Sequence, residues 1–323
     1  MEARTWPLCR LAALFVSAFV ALATGCRDVD RDEEPGPDAS MPPDSGTGYP
    51  PPRDNLVPAV GSDATFDLAT WNLELFPKDV STAALAADLI TSMRLDVVVV
   101  EEVTDEQAWL ELATRLPEHE ALLSPHVYSA DSYQKLGVLY RRGLVTVSPL
   151  SLLFSGDTSP FPRPPIKVSI VVNDRIHAPL ALDLIGVHLK AGVTTSDRER
   201  RRAAIVKLDE YLRAQVDGGG EDEVVVLGDY NEVVTDAAGQ SVFAPILTAP
   251  DRYTLQTNAY ALGGGITYLG FGGRDLDHIT TTAGLAAEVA GGGVTVLRLD
   301  QIFGGYEPLL SDHLPVTLSI PLR

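Results

Sequence analysis

From Phe66 onward, short apolar runs alternate with helix-periodic stretches, the pattern of an α/β protein. The segments FDLAT (66–70), VVVV (97–100), KLGVLY (135–140), IKVSIVV (166–172), LALDLIGVHL (180–189) and EVVVLG (223–228) predict strands. Between them, Ser81 is placed to cap a helix over 82–94 and Asp105 one over 106–116, with Trp109, Leu112 and Leu116 at helical spacing. A longer helix is expected after Ser196. Its buried stripe would be Ala203, Ile205, Leu208 and Leu212, and Arg198 to Arg202 would form its solvated first turns. Towards the C-terminus helical patterns thin out and glycines cluster at 263–265 and 291–293. Neither cluster has the spacing of a dinucleotide or P-loop cradle, so both read as turns and bulges between strands.

The first 64 residues follow other rules. Arg4 and Arg10 precede the apolar run 11–22, which is too short to span a bilayer that needs roughly 20 residues. The run leads into Ala23-Thr24-Gly25-Cys26, so 1–25 reads as an export signal. Ala-Thr-Gly-Cys resembles a bacterial lipobox, which implies that Cys26 is lipidated and anchors the chain to a membrane. Arg27, rather than Asp, after the cysteine points to the outer membrane. Residues 26–64 are rich in Pro, Gly, Asp and Ser, with almost no apolar periodicity, and read as a disordered spacer. The folded domain is therefore expected over 65–323. Cys9 and Cys26 are the only cysteines, so that domain can form neither a disulfide nor a thiolate zinc site. The net charge is -19, and a field of that sign opposes long-range attraction to nucleic acid unless a bound cation or basic patch reverses it locally.

Chemistry gathers at strand ends. Asn72 and Glu74 follow the first strand, and a fully apolar strand runs into Glu101 and Glu102. Burying an unpaired carboxylate is expensive, so a cation is expected there. His188 and Lys190 close one strand, and Asp229 and Asn231 another. Asp277 with His278, and Asp312 with His313, lie in RDLDHIT and SDHLPV.

The segments WNLELF, DVVVVEEV, HLKAG, GDYNE, LDHI and SDHLPV stand in the order used by the endonuclease/exonuclease/phosphatase superfamily, which the chain resembles from Phe66 to Val316. The resemblance implies a DNase I-like α/β fold, a four-layer α-β-β-α sandwich of two mixed β-sheets packed face to face with helices outside. It implies a phosphoric ester hydrolase using Mg²⁺ or Mn²⁺, with Asn72, Glu102 and Asp312 at the metal site. Glu101 stands where the family usually has Gln. Asp229 and Asn231 match the pair that orients water and phosphate, and His188 the histidine donating to a phosphate oxygen. His313 matches a histidine oriented by Asp277, and of Asp229 and His313 the second is the expected general base. Arg163, in the proline-fixed loop FPRPP, is the expected substrate contact, ahead of Arg141, Arg142 and the helix arginines.

A monomeric nuclease acting on a phosphodiester of nucleic acid is the leading reading. A phosphatase or sphingomyelinase-like phosphodiesterase is the alternative among enzymes, although no stretch supplies a clear exposed aromatic hairpin for membrane insertion. A surface binding protein that has lost catalysis is the third, and the intact residue set argues against it.

Overall fold

The computed structural model describes residues 48–128, 133–174 and 176–323. The expected signal peptide, the expected lipidation site Cys26 and most of the expected spacer lie outside them. One six-stranded sheet contains β1 (Thr65–Phe76), β2 (Val97–Val103), β3 (His119–Leu123) and β4 (Lys135–Arg141), with β12 (Gly293–Val296) and β13 (Val316–Pro321), in the order β12-β13-β1-β2-β4-β3. The second contains β5 (Val145–Val147), β6 (Ser151–Leu152), β7 (Ile166–Val172), β8 (Leu180–His188), β9 (Val224–Asp229), β10 (Tyr253–Leu255) and β11 (Asp277–Thr282). Its order is β10-β11-β9-β8-β7-β5, with β6 also on β7. Both sheets are mixed: β1 and β2 are parallel, as are β8 and β9, while their other neighbours run antiparallel.

Three apolar layers follow from strand alternation. Phe66, Leu68, Val97 and Val99 of one sheet meet Leu182, Leu184, Val225, Leu227 and Ile279 of the other. Their neighbours of opposite parity turn outward. Ala69, Trp71, Val98 and Val100 pack under α1 (Thr82–Met93) and α2 (Glu106–Arg115). Ile185, Val187, Val224 and Val226 pack under α3 (Thr195–Asp217), α4 (Ala237–Val242) and α5 (Ala244–Leu247). Helix, sheet, sheet and helix are thus the four layers expected. The short helices α6 (Asn258–Leu262), α7 (Leu299–Ile302) and α8 (Tyr306–Leu309) fill the glycine-rich last third. The sheets approach closely at Gly186, where a Cβ would lie 2.8 Å from Val99 and 2.9 Å from Ile166.

Several local expectations need correction. Residues 48–64, assigned by composition to the spacer, lie along α1. Arg53 donates to Asp88, Leu56 N–H to Ser92 at 2.9 Å, and Val60 and Gly61 to the Met93 carbonyl, while Val57 is buried. Low hydrophobicity hid this segment because it is held by backbone donors, the Arg53 side chain and only three apolar residues, buried Val57 with Leu56 and Val60 packed beside it. Ser81 makes no side-chain cap; its hydroxyl turns to Asp79, and Thr82 accepts from the Asp79 N–H instead. Asp105 caps α2 as expected, accepting from Gln107 and Ala108. Helix α3 begins two residues before its expected first turn, closed by a capping box of Thr194 and Asp197. Its buried stripe runs through Ala204, not Ala203, and includes Arg201.

Candidate active site

The inward parity of each strand, followed to one rim, produces the polar cluster. Asp229 continues Val225 and Leu227, His188 continues Leu182 and Leu184, and Asp277 precedes Ile279, so all three look into the gap between the sheets. Register sets them side by side: His188 is opposite Asp229, and Asp229 opposite Asp277. From the facing sheet, the Asn72 amide donates to Glu102 at 3.2 Å and to Asp229 at 3.1 Å. His188 Nε2 lies 3.7 Å from Glu102 and 3.6 Å from Asp229. His313 Nδ1 is 2.8 Å from Asp277, and its Nε2 is 3.9 Å from both Asp229 and Asp312. Asn231 closes the turn with an N–H to Asp229 at 2.7 Å, and its amide reaches the Leu189 carbonyl. Arg163 is held beside them by the Leu189 carbonyl and Gln134, in the field of Glu102 and Asp229. All nine residues expected in the folded site therefore meet there.

Glu101 and Glu102 part company. Glu101 shares the parity of Val97 and Val99 and points between the sheets, where Thr70 donates to its Oε1 at 2.7 Å and its Oε2 has no partner. Glu102 adopts a left-handed φ of 63°, which turns its carboxylate to the rim, where it accepts from Leu75 N–H and Asn72. Glu74, Leu75, Asn231 and Phe271 also have positive φ around this rim. Such strain in non-glycine residues is of order 1–3 kcal/mol each and persists where surrounding bonds fix it.

Burial raises the Glu101 carboxyl well above its ordinary 4.5, and Asp277 and Asp229 raise it further. The folded chain therefore retains a proton that the unfolded chain releases. Stability attributable to Glu101 falls as pH rises above 4.5 towards the folded value, with a slope of about 1.4 kcal/mol per pH unit. Glu101→Gln cannot ionise and should lose that slope, so its stability advantage over the wild type grows from pH 5 to 8. Parallel urea-denaturation curves across that range would refute the assignment.

Burial also raises Asp229, to about 7, with Asp277 and Glu102 adding to it and His313 opposing. It pushes His188 well down, aided by Arg163 and His313, so this ring is neutral. For His313 burial acts downward, but Asp277, Asp229 and Asp312 override it and lift the ring to about 10. Asp312, again through burial first, rises to about 6.

Of the scaffold behind these groups, the sequence singles out only Glu74. Ser311 donates to the Asn72 carbonyl at 2.6 Å and accepts from His313 N–H at 2.9 Å, joining the two motifs. Glu74, paired with Lys78, accepts from Asp312 N–H. Trp71 donates to Tyr306, which in turn donates to the His313 carbonyl. The Tyr268 ring lies 4.8 Å from His313, and beyond it Phe271 stands 90% exposed on a glycine loop. An aromatic between glycines, in GFGG, was the available signal. Arg141 and Arg142 instead pair with Asp96, Glu118 and Glu120 beside β3 and β4.

The donor set suits a hard divalent cation. Glu102 and Asp229 converge on shared partners, their neighbouring histidine is neutral, and the ligands are oxygens. Asp229, Asp277 and His313 also place ligand atoms within 4.8 Å of one another. An ion between Asp277 and His313 would break their direct 2.8 Å hydrogen bond, so the Glu102 side is the better seat.

The sequence model of the Endonuclease/Exonuclease/phosphatase family matches residues 69–313, and the chain belongs to that family. Solved structures show the same fold. The human Nocturnin catalytic domain with bound sulfate superposes with TM-score 0.58 at 14% identity, covering 80% of this chain and 95% of that one. The 3'-5' exonuclease NExo from Neisseria meningitidis gives 0.58 at 16% identity, covering 79% and 99%. D. rerio TDP2 complexed with a single-strand DNA product gives 0.54 at 14%, covering 80% and 99%. No curated protein matches the sequence significantly. The chain is a phosphoric ester hydrolase of a family that works with divalent metal.

Proposed function

We propose that this protein is an exported, lipid-anchored phosphodiesterase that uses Mg²⁺ or Mn²⁺ to hydrolyse nucleic acid. The observation that carries the reading is the convergence on Asp229: Asn72 from one sheet, and His188, Asn231 and Asp277 from the other, all bear on or beside a carboxylate facing the same gap as His313.

In this reading Asp229, poised at about 7, takes the proton from the attacking water, while Asn72 and Asn231 hold its carboxylate in place. His313, lifted to about 10, is cationic at neutral pH and donates to the phosphoryl group, with Asp277 fixing its ring. This moves the base from His313, expected from sequence, to Asp229, expected there to orient water and phosphate. Neutral His188 and cationic Arg163 donate to the remaining phosphate oxygens, and Asp312 lies at the open side of His313. Held by Glu102 with Asn72 beside it, the metal would stabilise developing charge and make water more acidic.

Two features support a nucleic acid substrate over other phosphodiesters. Structural neighbours include a 3'-5' exonuclease and a protein bound to single-strand DNA product. Exposed Phe271, close to the site, offers a face on which a base can stack, which tolerates an acidic protein better than long duplex contacts do. The test is turnover by residues 48–323 with Mg²⁺ or Mn²⁺ on single-stranded DNA, plasmid, RNA, bis-nitrophenyl phosphate and sphingomyelin. Preference for sphingomyelin over every nucleic acid would overturn the substrate assignment.

The anchor rests on the leader and on Cys26 as the only cysteine beyond it. Among the described residues no helix is long and apolar enough to cross a membrane. Wild-type protein should fractionate with membranes, and Cys26→Ser should shift it to the soluble fraction. Wholly soluble wild type would reject lipidation.

A further inference from the structure

Arg201 was read from sequence as one of a run of solvated arginines, yet its side chain is 2% exposed. Its Nε and Nη2 donate to Glu232 Oε2 at 3.0 and 2.8 Å, and its Nη1 donates to the carbonyls of Lys190 and Gly192 at 2.7 and 2.9 Å. Those carbonyls belong to the loop that leaves β8 just after His188. Glu232 belongs to the loop that leaves β9 just after Asp229 and Asn231. The Glu232 carbonyl in turn accepts from His278, the neighbour of Asp277, at 3.0 Å. One buried guanidinium thus ties α3 to two strand ends of the cluster, and through Glu232 it reaches a third.

We propose that Arg201 and Glu232 form a positioning pair for the reaction, holding the loops after β8 and β9 so that His188, Asp229 and Asn231 bear on one phosphate. The proposal rests on the phosphodiesterase reading above. Neither side chain touches the reacting atoms. Arg198 sits 3.5 Å from the same Glu232 oxygen, but it is half-exposed and reaches neither carbonyl, so it cannot replace the clamp. Nor can lysine, whose single ammonium cannot spread four bonds over a carboxylate and two carbonyls in the fork geometry of a guanidinium. Small displacements at such a distance matter because a misplacement of about 1 Å can lower turnover roughly 10²-fold.

The experiment compares wild type, Arg201→Lys and the double variant Arg201→Met with Glu232→Leu. Measured on each are kcat and KM with bis-nitrophenyl phosphate and Mn²⁺, the melting temperature, and histidine-ring NMR spectra. Replacing both members of a buried pair by apolar side chains is often neutral for stability. The double variant is therefore expected to melt near the wild type, while kcat stays about 10- to 100-fold down with KM changed less than about three-fold. Signals of His188 and His278 should move, while those of His119 and His177, outside the clamp, should not. A double variant with both wild-type melting and wild-type kcat would show that the pair is only structural. If it does not fold, Arg201→Lys decides alone: unchanged kcat and unchanged histidine spectra overturn the proposal. If the wild type turns over no phosphodiester, the functional reading fails, and the histidine spectra still judge the clamp.

Discussion

Replacing His313 with alanine is expected to lower kcat by about 10²- to 10⁴-fold while leaving the chain folded. The side chain is nearly buried, and its ring meets Asp277, Asp229 and Asp312, so its loss removes the one protonated ring facing three carboxylates. Asp229→Ala should fall by a similar factor, and the double variant much less than the product of the two, since both act on one event. The pH dependence has a definite sign. A ring lifted from 6.5 to about 10 takes up a proton on folding at neutral pH, so its stabilising contribution is complete below 6.5 and disappears as pH rises through about 10. Asp277→Asn removes the largest upward influence on that ring. Its activity should therefore fail at lower pH on the alkaline side than that of the wild type. An unmoved alkaline limb, or near-normal kcat in folded His313→Ala, would rule out the cationic role.

What the sequence made legible was what alternation controls. Strands β1, β2, β8 and β9 are covered on both faces and read as largely apolar segments, and Asn72, Glu102, His188 and Asp229 lie at their ends. Strands β11 and β13 were seen only as motifs, since Asp277–Thr282 reads DHITTT, with threonines where the others have valine. The choice of Glu102 over Glu101 came from resemblance, yet parity with Val97 and Val99 already directs Glu101 inward; the left-handed turn at Glu102 is a tertiary feature that no local pattern announces. Arg201 was misread for a similar reason. Helical spacing places it with Ala204, Ile205 and Leu208, but its charge matches the exposed arginines around it, and only the partner at Glu232, 31 residues away, makes burial tolerable. Residues 48–64 show the converse: polar composition suits a spacer, but backbone N–H groups reaching Asp88, Ser92 and Met93 need no apolar pattern.

Chelation is expected to abolish turnover, and added Mg²⁺ or Mn²⁺ to restore it in the wild type but not in Glu102→Ala. Glu102, Asp229, Asp277 and Asp312 gather within hydrogen-bond or ion-pair reach of a shared set of donors, against one cationic histidine and the guanidinium of Arg163. An excess of carboxylate in a half-buried gap is relieved by protonation, towards which Asp229 and Asp312 are already shifted, or by a further positive charge. Glu102 is the member best able to give oxygens to an ion, because its carboxylate is aimed at the rim by Leu75 N–H and Asn72, whereas Asp277 is committed to His313. Removing it should lower Mn²⁺ affinity as well as rate, and the affinity can be read by calorimetry or electron paramagnetic resonance without any substrate. Glu101→Ala should leave Mn²⁺ affinity nearly unchanged, since its carboxyl, bonded through one oxygen to Thr70, is buried inside the sandwich instead of aimed at the rim. Equal losses of affinity in the two variants would show that the two glutamates do not divide the work as their geometry says, and full activity of Glu102→Ala in excess chelator would remove the metal from the reaction altogether.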